Sequence, residues 1–211
     1  MGTFEKGILG GFKGKVGAVI GSTWKGTQVM RSKPGKRKKP ASALQLDQQA
    51  RFALMTDFLQ PLSAMLNETF SRAVGMSGYN KALSYNIQQA VSGDYPDLSV
   101  NYAAVLLSKG SLPGAQSPAV ASPAAGKLAC SWTDNSNLYK AASADQALLI
   151  VYCGALKQWV VSQGAATRNA GSCTVDVAPF SGQTVQTWFS FIAENGRAVA
   201  RSLFTGAVNV L

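Results

Sequence analysis

With 211 residues, 46% of them apolar and 14% charged, and a mean hydropathy of +0.05, the chain has the make-up of a globular protein that buries a core. No run approaches the roughly 20 apolar residues of a membrane-spanning helix. Of the formal net charge of +10, almost all lies at one end: residues 1–51 hold eleven Lys/Arg against Glu5 and Asp47, and the remaining residues hold nine against eight. Charge gathered in this way points to an acidic partner or an extended tail, not to solubility alone.

The opening Met1–Gly7 lacks the charged head and apolar stretch of a secretory signal, and Lys6 stands where myristoylation needs Ser or Thr. Synthesis in the cytoplasm is expected, followed by incorporation in a particle. Eight glycines fall within residues 1–30, among short apolar pairs. Val16–Ile20 and Thr27–Arg31 read as two strands of a hairpin turning around Trp24-Lys25-Gly26. Glycine at this density weakens strands, so the segment is expected to be ordered by contact with its own domain or a neighbouring subunit. The run Arg31–Pro40 then sets six cations in ten residues beside Pro34, Gly35 and Pro40. That composition predicts an exposed, extended basic arm.

Ser42 offers an N-cap to a long helical pattern. Phe52, Met55, Leu59, Leu62 and Leu66 form one apolar stripe, a core or subunit-interface face, with a kink or restart at Pro61. A second helix is predicted over Tyr79–Val91, ended by Gly93, and a further strand over Val100–Ser108. From Leu112 to Gly126 the chain turns to Pro, Ala, Ser and Gly, which reads as a linker or proline-guarded first strand with a domain boundary near 115. Strand signals then recur at short spacing: Lys127–Trp132, Gln146–Tyr152, Gln158–Ser162, Cys173–Val177, Val185–Ala193 and Ala198–Val210. Asn195-Gly196 between apolar runs is the strongest hairpin signal in the chain.

Pro118–Leu211 resembles a fibronectin type III domain. Leu128-Ala-Cys130-Ser-Trp132 is similar to that family's second strand with its buried tryptophan, and Leu148–Tyr152 to its third strand. The aromatic run from Trp188, turning at Asn195-Gly196, is similar to its terminal hairpin; the usual tyrosine corner is missing, with Trp188 nearby. More broadly, Gly7-Ile-Leu-Gly-Gly-Phe-Lys-Gly-Lys-Val-Gly17, the following tryptophan and Met30-Arg-Ser before a basic stretch resemble uncharacterised bacterial proteins of about this length. That resemblance carries no activity. The expected fold is therefore an α+β N-terminal part, a Gly-rich hairpin with two helices, followed by an all-β immunoglobulin/fibronectin III-like sandwich. Its divisions are 1–41 (hairpin and basic arm), 42–114 (helices and a strand, packed with the hairpin) and 115–211 (sandwich).

The chain has no histidine, which removes the Ser/Cys-His triads and most catalytic zinc sites. No two acids pair on one predicted face, and Asp94 and Asp97 around Tyr95-Pro96 read as turn residues. Ser22-Thr-Trp-Lys25 matches Ser-x-x-Lys only formally, without its partner motifs. Gly11-Phe-Lys-Gly14-Lys15-Val16 has the wrong glycine spacing for a phosphate loop and is followed by a strand. Cys130, Cys153 and Cys173, an odd number without a CxxC pair, read as reduced core residues. No catalytic residue, cofactor or metal is expected.

What remains is a polyanion-binding set: Lys13, Lys15, Lys25, Arg31, Lys33, Lys36, Arg37, Lys38 and Lys39, with Phe12 and Trp24 as stacking surfaces. The expected function is that of a non-enzymatic structural or assembly protein, a subunit of a multisubunit particle (phage-like assemblies among the candidates) whose basic arm contacts acidic partners. Its partners would be further copies or other subunits. The alternative is a nucleic-acid-binding protein that uses the same basic segment.

Overall fold

The computed structural model describes residues 2–4, 10–24, 26–35, 40–70 and 75–211. The chain divides into two compact units, Met1–Ser42 and Ala43–Leu211.

The N-terminal unit is a four-stranded antiparallel meander in place of the expected two-stranded hairpin. Its strands β1 (Thr3–Phe4), β2 (Phe12–Val16), β3 (Val19–Trp24) and β4 (Thr27–Ser32) follow one another in space as in sequence. The stretch Val16–Ile20, expected as one strand, is cut by the β2–β3 turn, across which Val16 pairs with Val19. The β3–β4 hairpin has continuous register from Val19↔Ser32 to Trp24↔Thr27.

In the second unit, α1 (Ala43–Leu59) starts directly after Ser42, and α2 (Ser63–Thr69) restarts after the turn containing Pro61, because proline removes a helical donor. Met55, Leu59, Leu62 and Leu66 are all buried, each such side chain stabilising the fold by roughly 1.5–3 kcal/mol. The expected stripe begins one turn too early, however: Phe52 is 53% exposed. Helix α3 (Gly78–Gln89) is capped by Ser77, whose hydroxyl accepts from Asn80 N at 3.2 Å. It ends before Gly93, and a short ladder of β5 (Val91–Ser92) and β6 (Ser99–Val100) follows.

The strand expected over Val100–Ser108 stops at Val100. Beyond it come one 3-10 turn (Tyr102–Ala104) and a buried strap, residues 105–108, in which Leu106 and Leu107 bond through their backbone to side chains and Ser108 O accepts from Ser202 N at 3.2 Å. Asn86 both accepts from Leu106 N (2.8 Å) and donates to Leu106 O (2.9 Å). Thr69 donates to Leu107 O at 2.9 Å, and Ser202 Oγ accepts from Leu107 N at 2.9 Å. These side chains meet the requirement that buried backbone groups be paired.

The remainder forms two β-sandwich-like sheets. One has the order β10 (Gln158–Thr167), β9 (Gln146–Cys153), β12 (Thr184–Ile192), β13 (Leu203–Asn209); the other runs β11 (Ser172–Asp176), β8 (Lys127–Thr133), β7 (Gln116–Ala124). The segment around Pro118 and Pro123 is thus strand β7. The turn at Asn195-Gly196 is present, with Ile192 bridged to Val199, but the strand expected from Ala198 becomes regular only at Leu203.

Strand β9 explains the layering. Ala147, Leu149, Val151 and Cys153 enter the core between the sheets, while Leu148, Ile150 and Tyr152 join Met55, Leu59 and Leu66 in a second core under the helices. Trp188 and Ile192 of β12 face the helices too, and Phe189 and Phe191 face the sandwich. The unit is a three-layer structure: helices, four-stranded sheet, three-stranded sheet. The boundary expected near 115 therefore falls inside one compact unit, and residues 43–114 pack on the sandwich through this shared core. Among the described residues no helix is long and apolar enough to cross a membrane.

Candidate interaction surface

The predicted polyanion set divides on structural description. Lys25, Lys36, Arg37, Lys38 and Lys39 lie outside the described residues. Lys13, Lys15, Arg31 and Lys33 are described, and all four are exposed.

Strand register decides which of them act together. Lys15 pairs with Ile20, and Ile20 pairs with Arg31, so the three form one row across β2, β3 and β4 on a common face. Lys33 N bonds to Ala18 O at 2.7 Å and extends the same register, which puts Lys33 two residues beyond Arg31 on that face. Side chains alternate along a strand, so Ser22 and Trp24 of β3 share the face with Ile20, and Val29 shares it through its pairing with Ser22. Lys15 and Arg31, two strands apart, are separated by about 9.6 Å at the backbone, and Lys33 follows Arg31 by about 6.7 Å. This face is basic, with Trp24 standing 66% exposed at its far end.

The opposite face is mainly apolar, with Thr23, Gln28 and Ser32 as its uncharged polar members. Val16, Val19, Gly21 and Met30 belong to it, and Met30 is 68% exposed. Strand β2 bends where it passes from β1 to β3, at Gly14 with φ 106°, a conformation that L side chains rarely adopt. The bend lays Phe12 over Gly21: a Cβ on Gly21 would stand 2.7 Å from the Phe12 ring and closer still to its carbonyl oxygen. Phe12 therefore caps the apolar face and does not extend the basic one, contrary to its expected role as a stacking surface. Lys13 lies in the part of β2 that pairs with β1 and is not in the Lys15–Arg31 row.

Across the described part of β2, β3 and β4, Gly21 alone is buried. A sheet of this size gains stability mainly by covering one apolar face, and this unit covers very little of its own.

In the second unit the charged pair of Arg168 and Asp145 serves structure. Arg168, fully buried, donates from Nε to Asp145 Oδ2 (3.0 Å) and from Nη2 to Pro113 O (2.9 Å), contacts Asn135 Oδ1 through Nη1, and lies 3.8 Å from the centre of the Phe191 ring. Burial lowers its pKa from the ordinary arginine value, and the bond to Asp145 opposes that shift. Cys130 and Cys173 face each other across β8 and β11, and both are free thiols. Their mutual hydrogen bond, then burial, raises the pKa of the Cys130 thiol, and the same hydrogen bond lowers that of Cys173.

Several clefts lie in this unit, among them the following two. One, of about 380 Å³, is walled by Phe58, Tyr102, Tyr152 and Trp159, with Asp57 and Lys157 at its margin. The other, about 540 Å³, carries Lys140, Glu194 and Arg197 beside the Asn195 turn. The aromatic walls of the first come from four separate elements spanning a hundred residues, and burial raises the pKa of both Tyr102 and Tyr152. No local sequence pattern could bring those residues together.

A family model described as "Family of unknown function (DUF6266)" matches residues 11–206. No curated protein matches the chain in sequence. Among solved structures, the fibronectin type III domain of the human collagen alpha-1(XX) chain is similar at 14% identity, with a TM-score of 0.37, over 49% of this chain and 91% of that one. The likeness is loose.

Proposed function

The chain belongs to that family of unknown function, DUF6266, and from its own surfaces we propose that it is a non-enzymatic structural subunit whose N-terminal sheet is completed by other subunits of a larger assembly. The observation that carries this reading is the contrast between the units. The C-terminal unit closes two cores of its own, whereas the N-terminal sheet exposes Val16, Trp24, Val29 and Met30 and buries only Gly21 in β2–β4. Apolar surface left open beside concentrated positive charge is the mark of an interaction site. The full absence of histidine supports a non-enzymatic role. A phage-like particle is one setting in which such a subunit works, and the sandwich is read as a fibronectin type III-like module, in keeping with its division into sheets of four and three strands.

Light scattering on the eluting full chain, at low and high salt and across a hundredfold range of concentration, tests the reading. Oligomers that disappear when Val29 and Met30 are both changed to Ser are expected. A monomer under every condition, with the N-terminal sheet protected from proteolysis, would overturn it.

The second reading, nucleic-acid binding, is favoured by one specific observation: Lys15, Arg31 and Lys33 share a face. Changing Lys33, Lys36, Arg37, Lys38 and Lys39 together to Gln should then reduce the dependence of log affinity on log salt by about 4 to 5 for duplex DNA.

A further inference from the structure

We infer that the basic face of the N-terminal sheet is a platform for single-stranded nucleic acid, with Lys15, Arg31 and Lys33 along the phosphates and Trp24 stacked on a base. This rests on the second reading above and goes further by naming the strandedness of the partner and the face that takes it.

Three observations converge. The cations of the row lie about 9.6 Å and 6.7 Å apart at the backbone, spacings that long, flexible side chains adjust to successive phosphates. Trp24 shares their face and is 66% exposed, with Ser22 and Val29 between as a shallow floor. The opposite face, with Phe12 laid over Gly21, carries Val16, Val19 and Met30 and, across the described β3 and β4 and β2 beyond Gly14, no cation, so the charge of this register is confined to one side. A solvated loop gives no reason for that segregation, whereas a polyanion lying along one side does.

Shape selects the strandedness. A duplex major groove about 12 Å wide admits a helix or a two-stranded ribbon. Three strands spaced about 4.8 Å apart, with side chains at both margins, are too broad to enter it. An unpaired base presents its ring face to an exposed indole, and a paired and stacked base does not.

The test uses the full chain and two fluorescent probes, a 20-nucleotide oligothymidine and a 20-base-pair duplex, titrated between low and physiological salt. The single strand should bind at least tenfold more tightly. Trp24→Ala should weaken it about tenfold, the effect of losing one stacked base. Trp24→Tyr should retain most of the affinity, which separates stacking from misfolding. Changing Lys15, Arg31 and Lys33 to Gln should reduce the salt slope by about 2, at roughly 0.7 per phosphate on a single strand.

Equal affinity for duplex and single strand, with Trp24→Ala unchanged, overturns the platform. If in addition a Lys36, Arg37, Lys38 and Lys39 to Gln variant abolishes binding, the arm alone binds polyanions: the platform fails while the broader nucleic-acid reading survives. Absence of binding to either probe overturns both.

Discussion

Arg168→Met is the most informative single perturbation of the C-terminal unit. The guanidinium holds Asp145 at 3.0 Å and Pro113 O at 2.9 Å, reaches Asn135, and lies over Phe191 at 3.8 Å. Methionine fills similar volume and keeps an apolar contact with the ring, but it donates to none of these oxygens. Asp145, 2% exposed, keeps the amide of Ala142 at 2.9 Å and loses its counter-charge. A buried ion pair as a whole is often no better than a hydrophobic replacement, yet removing one member strands the other, at about 3–5 kcal/mol. For a domain of this size that corresponds to a fall in melting temperature of about 6–20 °C. Thermal unfolding followed by near-ultraviolet circular dichroism measures it. Adding Asp145→Asn to the same chain removes the stranded charge and should restore at least about 1 kcal/mol. A melting temperature within about 2 °C of the parent for Arg168→Met, or a double variant less stable than the single, would refute the reasoning.

Other outcomes follow from the layering. A 43–211 fragment should melt as one cooperative unit close to the full chain. A 115–211 fragment should bind hydrophobic dyes and lack a sharp transition, because it uncovers Leu148, Ile150, Tyr152 and Trp188. Trp132→Ala should cost about 3–5 kcal/mol in denaturant titration, since the ring stacks on Phe189 at 4.9 Å and its indole donates to Arg168 O at 2.7 Å. Replacing all three cysteines with Ala should lower stability and leave any binding unchanged, and the native thiols should react with Ellman's reagent only as fast as the fold opens.

The turn at Asn195-Gly196 was legible, although the strand expected directly after it becomes regular only at Leu203. The helices were legible from the stripe through Met55, Leu59, Leu62 and Leu66. The three-layer arrangement was not, although β9 held the clue. Ala147 to Cys153 is apolar without alternation, as a strand covered on both faces must be, whereas a simple sandwich covers only one. Phe52 continues the helical spacing yet stands exposed, because periodicity marks a direction around the helix and not how far along it the core extends. In the N-terminal unit, composition identified the cations, but which of them share a face depended on register. Register turned on a bend at Gly14 and a turn cutting Val16–Ile20, neither of which the charge pattern records.

The strap after β6 ties together parts of the chain that are synthesised far apart in time. Leu107 N bonds to a serine 95 residues later, and Leu106 to an asparagine 20 residues earlier. The Leu106 amide has its partner as soon as α3 is made, but the Leu107 amide has none before Ser202 is in place, so the strap is fastened at both points only once β12 and the chain beyond it have docked. Its amides are a clock for completion of the fold. Their exchange with solvent deuterium should be as slow as that of the central strands and should vanish together with it when the unit opens. A nascent chain truncated before Ser202 would leave this segment, already made, without its final fastening.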